Sequence, residues 1–155
     1  MPRIEVITEI NAPIARVFDM SRSIDLHQES QSKHHERAVS GRTSGLIEEG
    51  EEVTLEAAHF GFRQRLTSRI VKMRRPVYFR DTLVKGAFKR FDHDHHFEEL
   101  PDNRTRVRDI FDYTSPLGPI GRLADAVFLE HYMRNLILER NSAIKRSAEL
   151  PAAGF

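Results

Sequence analysis

The stretch FKRFDHDHHFEELPDNRTRVRDIFDYTS, residues 88–115, decides the fold. Phe91, His93, His95 and Phe97 alternate with Asp92, Asp94, His96 and Glu98. A period of two is that of a β-strand, whose successive side chains point to opposite faces. The turn-forming run PDNR (101–104) then leads to a second alternating run, with Val107, Asp109, Phe111 and Tyr113 on one side. So tight a connection makes the two strands antiparallel neighbours. The face carrying both phenylalanines is expected to point inward. It takes His93 and His95 with it and leaves Asp92, Asp94, His96 and Glu98 in solvent.

Working outward, three further extended stretches precede this hairpin, at 52–62, 63–73 and 76–86, separated by Gly61 and by Arg74-Arg75-Pro76. Another strand is expected near ERAVSG (36–41), after a loop and a second short helix in SRSIDLHQESQSKHHE (21–36). The run GRTSGLIEEGEE (41–52) has three glycines and reads as a turn or mobile loop. At the start, residues 3–10 alternate as a strand. The period then changes: Asn11 is the expected N-cap, Pro13 suits the first helical turn, and Ile14, Val17 and Phe18 recur at helical spacing. From Ile120 to Ala148 the apolar residues fit one helical stripe, including Leu123, Ala124, Val127, Phe128, Leu136, Ile137 and Ile144. A helix of that length spans about 40 Å.

The order is strand, two short helices, about six more antiparallel strands and one long helix. The expected class is therefore α+β, a curved antiparallel sheet of about seven strands around the C-terminal helix, in one domain over 1–150 with a flexible tail at 151–155. A concavity between sheet and helix is a natural place for a small molecule.

Composition narrows the functions. The 155 residues bury enough surface to fold without a metal or disulfide staple. The absence of cysteine removes thiol nucleophiles and zinc–thiolate sites, and the cytoplasm is the default location. Lys and Arg number 24 against 23 Asp and Glu, so no overall field attracts nucleic acid, and no stretch is long and apolar enough to span a membrane. The basic run KMRRP (72–76) reads as a solvated face.

Several stretches together resemble the START-like, SRPBCC ligand-binding superfamily, which includes the birch pollen allergen, lipid-transfer domains and polyketide cyclases. They are INAPIARVFD (10–19), GEEVTLEAAHFGF (50–62), FRDTLVKGAFKRFDHDHHFEEL (79–100), TRVRDIFDY (105–113) and PLGPIGRLADAVF (116–128). Within that superfamily, KGAFKRFDHDHHF with PLGPIGRLAD resembles a bacterial subgroup. The resemblance implies a helix-grip fold with a ligand cavity between sheet and long helix, and carries over no catalytic set.

The candidate site follows from the strand faces. Asp81 interrupts the apolar row Phe79–Leu83, and Asp109 interrupts Val107–Phe111. Matched registers would set these carboxylates on either side of His93 and His95, about 4.8 Å away on neighbouring strands. A buried carboxylate needs a partner, and histidine is a natural one. The four residues admit a hydrogen-bonded network in a cavity wall, an acid–base centre for a cyclase, dehydratase or hydrolase, or a metal site. The first is the leading reading, with no metal or cofactor. A small, largely apolar ligand (a lipid, isoprenoid, aromatic or polyketide-like molecule) would then contact Phe60, Phe79, Phe91, Phe97, Phe111 and Phe128. Asp81, His93, His95 and Asp109 would orient it, and Tyr113 and Tyr132 are further candidate contacts. KHH (33–35) reads as a flexible polar loop, Ser30 and Ser32 as no nucleophile, and SGLIEEG (44–50) as a mobile rim of the cavity. Nothing in the sequence sets the oligomeric state.

Overall fold

A computed structural model of the chain describes residues 3–59, 61–115, 119 and 128–151. Seven strands form one antiparallel sheet: β1 (Arg3–Ile10), β2 (Arg37–Gly41), β3 (Glu52–His59), β4 (Phe62–Arg74), β5 (Tyr78–Lys85), β6 (Arg90–Leu100) and β7 (Arg104–Thr114). Their order is β1-β7-β6-β5-β4-β3-β2. The chain thus runs up and down from β2 to β7, and β1 closes the far edge by pairing with β7. Two short helices, α1 (Ile14–Ser21) and α2 (Ile24–Ser30), follow β1, and α3 (Glu130–Glu149) follows the sheet.

The turns form where the sequence marks them. Asp102 and Asn103 take positive φ between β6 and β7, a conformation that short polar side chains tolerate. Gly41 is required at the end of β2: φ is +73°, and a Cβ there would lie 2.2 Å from the carbonyl oxygen of Glu52. At α1 the expectation is corrected. Pro13 occupies the N-cap, and the Asn11 N–H donates instead to Glu149 Oε2 (2.8 Å), tying the end of β1 to the end of α3. The first part of the expected long helix, 120–127, and the tail beyond Pro151 lie outside the described residues.

The concave face of the sheet carries two packed layers. Under α1, Val17 and Phe18 meet Phe79, Phe97, Val107, Ile144 and Ala148. Phe18 stands edge-on to both Phe79 (5.5 Å) and Phe97 (5.1 Å). Under α3, Ile137 meets Ile4, Val6, Phe91, Phe111 and Tyr113. On the convex face the expectation of free solvent exposure does not hold for Asp92, Asp94 and His96, which are half-buried. Asp94 accepts from Tyr78 and from Arg80 Nε (2.7 Å), Asp92 accepts from Thr82 (2.8 Å), and the His96 ring packs at a tilt against Tyr78. Long arginine and tyrosine side chains on neighbouring strands lie over these shorter groups.

Because Phe18 is fully buried between α1 and two strands, Phe18→Ala is expected to cost about 3–5 kcal/mol. Urea unfolding measures it. A loss under about 1 kcal/mol would mean that α1 is not fixed on the sheet in this way.

Candidate functional site

His93 and His95 point inward, as their alternation with Asp92, Asp94 and His96 requires. Their neighbours arrive by register: Asp81 of β5 lies opposite His93, and Asp109 of β7 lies opposite His95. The bonds run diagonally as well as straight across. His93 Nε2–H donates to Asp109 Oδ1 (3.0 Å), and His95 Nε2–H donates to Asp81 Oδ2 (2.9 Å). The two rings stack with centroids 3.9 Å apart, and Phe79 stacks on the other face of His95 at 4.1 Å.

Two partners from α3 complete the group, and sequence reasoning missed both. Arg140 Nη2 donates to Asp109 Oδ1 (3.1 Å), and Asn141 Nδ2 donates to Asp109 Oδ2 (2.7 Å) and to Thr8 Oγ1 (3.2 Å). The signal was present: with Ile137 and Ile144, positions 140 and 141 fall on the apolar stripe of α3, so polar side chains there must be buried and need partners.

Burial disfavours the charged form of every group here, and the neighbours decide which groups remain charged. Asp109 has no exposed surface. Even so, Arg140 and the N–H donors of His93 and His95 overcome that burial and hold its carboxyl well below the usual range. Asp81 is likewise lowered, against its burial, by the His95 N–H and the positive charge nearby. Burial also works against a charged His95, but its bonds to Asp109 and Asp81 win and raise its pKa. For His93 burial prevails, reinforced by His95 beside it, and the pKa falls despite Asp109. The surroundings thus favour the charged form of His95 and the neutral form of His93. In the charged ring His95 Nδ1–H faces Asp109 Oδ1 at 3.1 Å, whereas the neutral ring would accept there from Arg140 Nη2 at 3.2 Å. On His93 the proton sits at Nε2, toward Asp109, which leaves Nδ1 with an unshared pair.

Asp81, His93 and His95 each present a donor atom within 4.8 Å of the others, a spacing that a cation can bridge. The two carboxylates are already paired with Arg140 and the histidines, and both nitrogens of His95 are engaged. A metal ion would have to displace Asp81 or Arg140 from these bonds.

A cavity of about 550 Å³ lies between the sheet and α3. Of the expected ligand contacts, Phe79, Asp81, Phe91, His93, Phe111, Phe128 and Tyr132 line it. His95, Phe97, Asp109 and Tyr113 do not. Their side chains are 0–4 % exposed beneath α1, α3 and neighbouring rings, so they lie behind the cavity wall. Phe60 lies outside the described residues. Arg140 also faces the cavity. At the far end so do His59 and Tyr132, joined by a 2.6 Å hydrogen bond between His59 Nδ1 and the Tyr132 hydroxyl. Two loop expectations are corrected. His34 packs its ring on His59, 4.8 Å away, where a flexible loop was expected. The rim at 44–50 is pinned, with Ile47 3 % exposed and its backbone N–H and carbonyl both bonded to Arg22.

Removing the carboxylate charge leaves Arg140 buried without a counter-ion and His95 with Asp81 alone, so Asp109→Asn is expected to cost about 3–5 kcal/mol near pH 7. A carboxyl with a lowered folded pKa gives its full stabilisation above the unfolded value of about 3.9 and loses it as pH falls through the folded value. The deficit of the variant should therefore shrink below about pH 4, as urea unfolding at both pH values would record. In an NMR titration His95 should stay charged above the ordinary histidine value of about 6.5 and His93 neutral below it. Coincident titration of the two near that value would contradict the assignment.

The sequence over residues 10–133 matches the family described as polyketide cyclase / dehydrase and lipid transport. No curated protein sequence matches the chain. Among solved structures it is similar to the protein TTHA0849 from Thermus thermophilus, with TM-score 0.73, 15% identity, and 96% of this chain and 100% of that one covered. A START superfamily protein from Mycobacterium smegmatis superposes with TM-score 0.70 at 10% identity, covering 95% and 97%. Ginseng major latex-like protein 151 from Panax ginseng does so with TM-score 0.66 at 14% identity, covering 97% and 98%. At such identities the likeness is one of fold: a curved seven-stranded sheet gripping a C-terminal helix, as the sequence resemblance implied. With four-fifths of its length matched by the family model, the chain belongs to the polyketide cyclase / dehydrase and lipid transport family.

Proposed function

We propose that the protein binds a small, largely apolar molecule in the cavity between the sheet and α3. The observation that carries this reading is the cavity itself. About 550 Å³ is walled by side chains such as Leu55, Leu66, Phe91, Phe111 and Ile137, with Asp81, His93 and Arg140 as a polar group in the wall. Apolar walls supply affinity and a few placed polar groups supply orientation. Burying about 200 Å² of apolar ligand surface contributes roughly 5 kcal/mol before ordering costs. The family description, which names both cyclase/dehydrase activity and lipid transport, is in keeping with such an occupant.

One observation also supports acid–base chemistry on that occupant. Asp109 holds the His93 proton on Nε2, and His93 borders the cavity with Nδ1 as its unprotonated nitrogen. Among the described residues Nδ1 has no hydrogen-bond partner. A neutral imidazole held in one tautomer by a buried carboxylate is poised to accept a proton from a bound hydroxyl or an acidified C–H. His95 and Asp109, expected as possible acid–base groups, are enclosed and would act through the cavity-lining groups they hold, His93, Asp81 and Arg140.

Native mass spectrometry of freshly purified protein is expected to show an organic mass that leaves on mild activation. Ala57, 5 % exposed on the cavity wall, offers a blocking position: Ala57→Leu and Ala57→Phe should lose that mass and weaken binding of apolar fluorescent probes at least tenfold, with the fold retained by circular dichroism. Unchanged probe binding in both folded variants would refute the cavity as the site. For the chemical reading, His93→Gln should abolish any turnover found in a substrate screen while ligand is still retained.

A further inference from the structure

Of the residues lining the cavity only Arg65, Ala87 and Phe128 are exposed, so it reaches the surface where these three stand. They belong to β4, to the turn between β5 and β6, and to the segment entering α3. Contacts draw these elements together around one mouth. Phe62 pairs across the β3–β4 tip with His59, which is bonded to Tyr132, and Phe128 stacks on Tyr132 with centroids 6.3 Å apart. From the other side, Phe88 of the β5–β6 turn packs into the same apolar layer as Leu129 and Met133.

The surface around this mouth combines exposed aromatic rings with excess positive charge. Phe62, 70 % exposed, and Phe128, 56 % exposed, are the only exposed phenylalanines among the described residues. Phe62 stands on a hairpin that projects past the end of β5, where Lys85 pairs with Thr67. Behind it, Arg63 and Arg65 share the single carboxylate of Glu56 with Arg37. Lys85 and Lys89 are exposed to either side of Phe88, and among the described residues neither has an ion pair. The carboxylates of the adjoining strands, Asp92 and Asp112, are taken by Arg90. In a chain whose formal net charge is +1, such an excess is offset elsewhere and marks this end.

A projecting phenyl ring with cations behind it fits a surface that is anionic outside and apolar beneath. A bilayer containing anionic lipid is such a surface: the cations stay among the headgroups while the ring enters the acyl boundary. An acidic protein or a nucleic acid would satisfy the cations and gain nothing from Phe62. We infer, on the basis of the apolar-ligand reading above, that the protein docks reversibly on anionic membranes through this mouth. Phe62 inserts, Arg63, Arg65, Lys85 and Lys89 lie among the headgroups, and an apolar occupant passes between bilayer and cavity without crossing water.

The chain has no tryptophan, so Phe62→Trp supplies a single fluorescent reporter at the tip. With vesicles of phosphatidylcholine and phosphatidylglycerol its emission should shift to the blue, and the protein should sediment with them. Vesicles of phosphatidylcholine alone should bind at least about fivefold less, as should the anionic ones when salt is raised from about 0.1 M to about 0.5 M. Phe62→Ser and the Lys85→Glu/Lys89→Glu double variant, both folded by circular dichroism, are each expected to lose at least about fivefold in partition. Val77→Ser, at an exposed apolar position in the β4–β5 turn at the opposite end, should lose none. No sedimentation with anionic vesicles, an unshifted emission, or undiminished partition in either the Phe62 variant or the lysine double variant overturns the inference. Binding to poly-L-glutamate as tight as to the vesicles, with no blue shift, overturns it in favour of an acidic protein partner. Apolar probes bound in solution without vesicle binding refute the docking surface alone, whereas vesicle binding by protein that holds neither probe nor organic mass refutes the cavity reading alone.

Discussion

The carboxylate of Asp109 organises this protein. It has no exposed surface, and a charge so enclosed is tolerable only when surrounded by donors. It accepts from His93 on the adjacent strand and from Arg140 and Asn141 on the helix, and it faces His95 Nδ1. These contacts fix the rotation of α3, because residues 140 and 141 must face the sheet. They also fix its height, because Arg140 must lie over Asp109. Ile137 on one side and Ile144 and Ala148 on the other then fall onto the two apolar layers of the concave face.

From that anchor the rest of the site follows. Toward the C-terminal end of α3, helix α1 packs Val17 and Phe18 over the sheet. Toward the N-terminal end of α3, Leu129, Met133, Leu136 and Ile137 face the cavity across from the sheet. The polar network stands at this boundary. His95 is on the filled side, under Phe79, whereas His93 is on the open side. The difference in surroundings between two histidines only two residues apart shifts their pKa values in opposite directions, with the neutral form favoured at the one beside the cavity.

Most of the architecture was legible because it rests on local periodicity. Alternation at 88–115 gave both strands and their inward faces, and the intruding Asp81 and Asp109 identified the partners of the histidines before any register was known. Depth was not legible. Alternation assigns a side chain to a face and says nothing about what covers that face, so His95, Phe97, Asp109 and Tyr113 read as ligand contacts when they lie behind the wall. Arg140 and Asn141 escaped notice because the helix was read for its apolar positions alone. The same apolar period, applied to its polar residues, places both among Ile137 and Ile144. Asn11 misled for another reason: a good capping residue two positions before a proline left the N-cap to Pro13, while its own N–H reached Glu149 at the other end of the chain.

The central claim is that Asp109 and Arg140 act as one unit that holds sheet and helix together. A double-mutant cycle measures this most directly, comparing the urea-unfolding free energies of Asp109→Asn, Arg140→Met and the double variant with the original protein. Residues in one buried network should couple by more than about 1.5 kcal/mol, with the double variant losing much less than the two single losses combined. Additivity within about 0.5 kcal/mol would contradict the account, since it would mean that the carboxylate and the guanidinium stabilise the fold independently of each other.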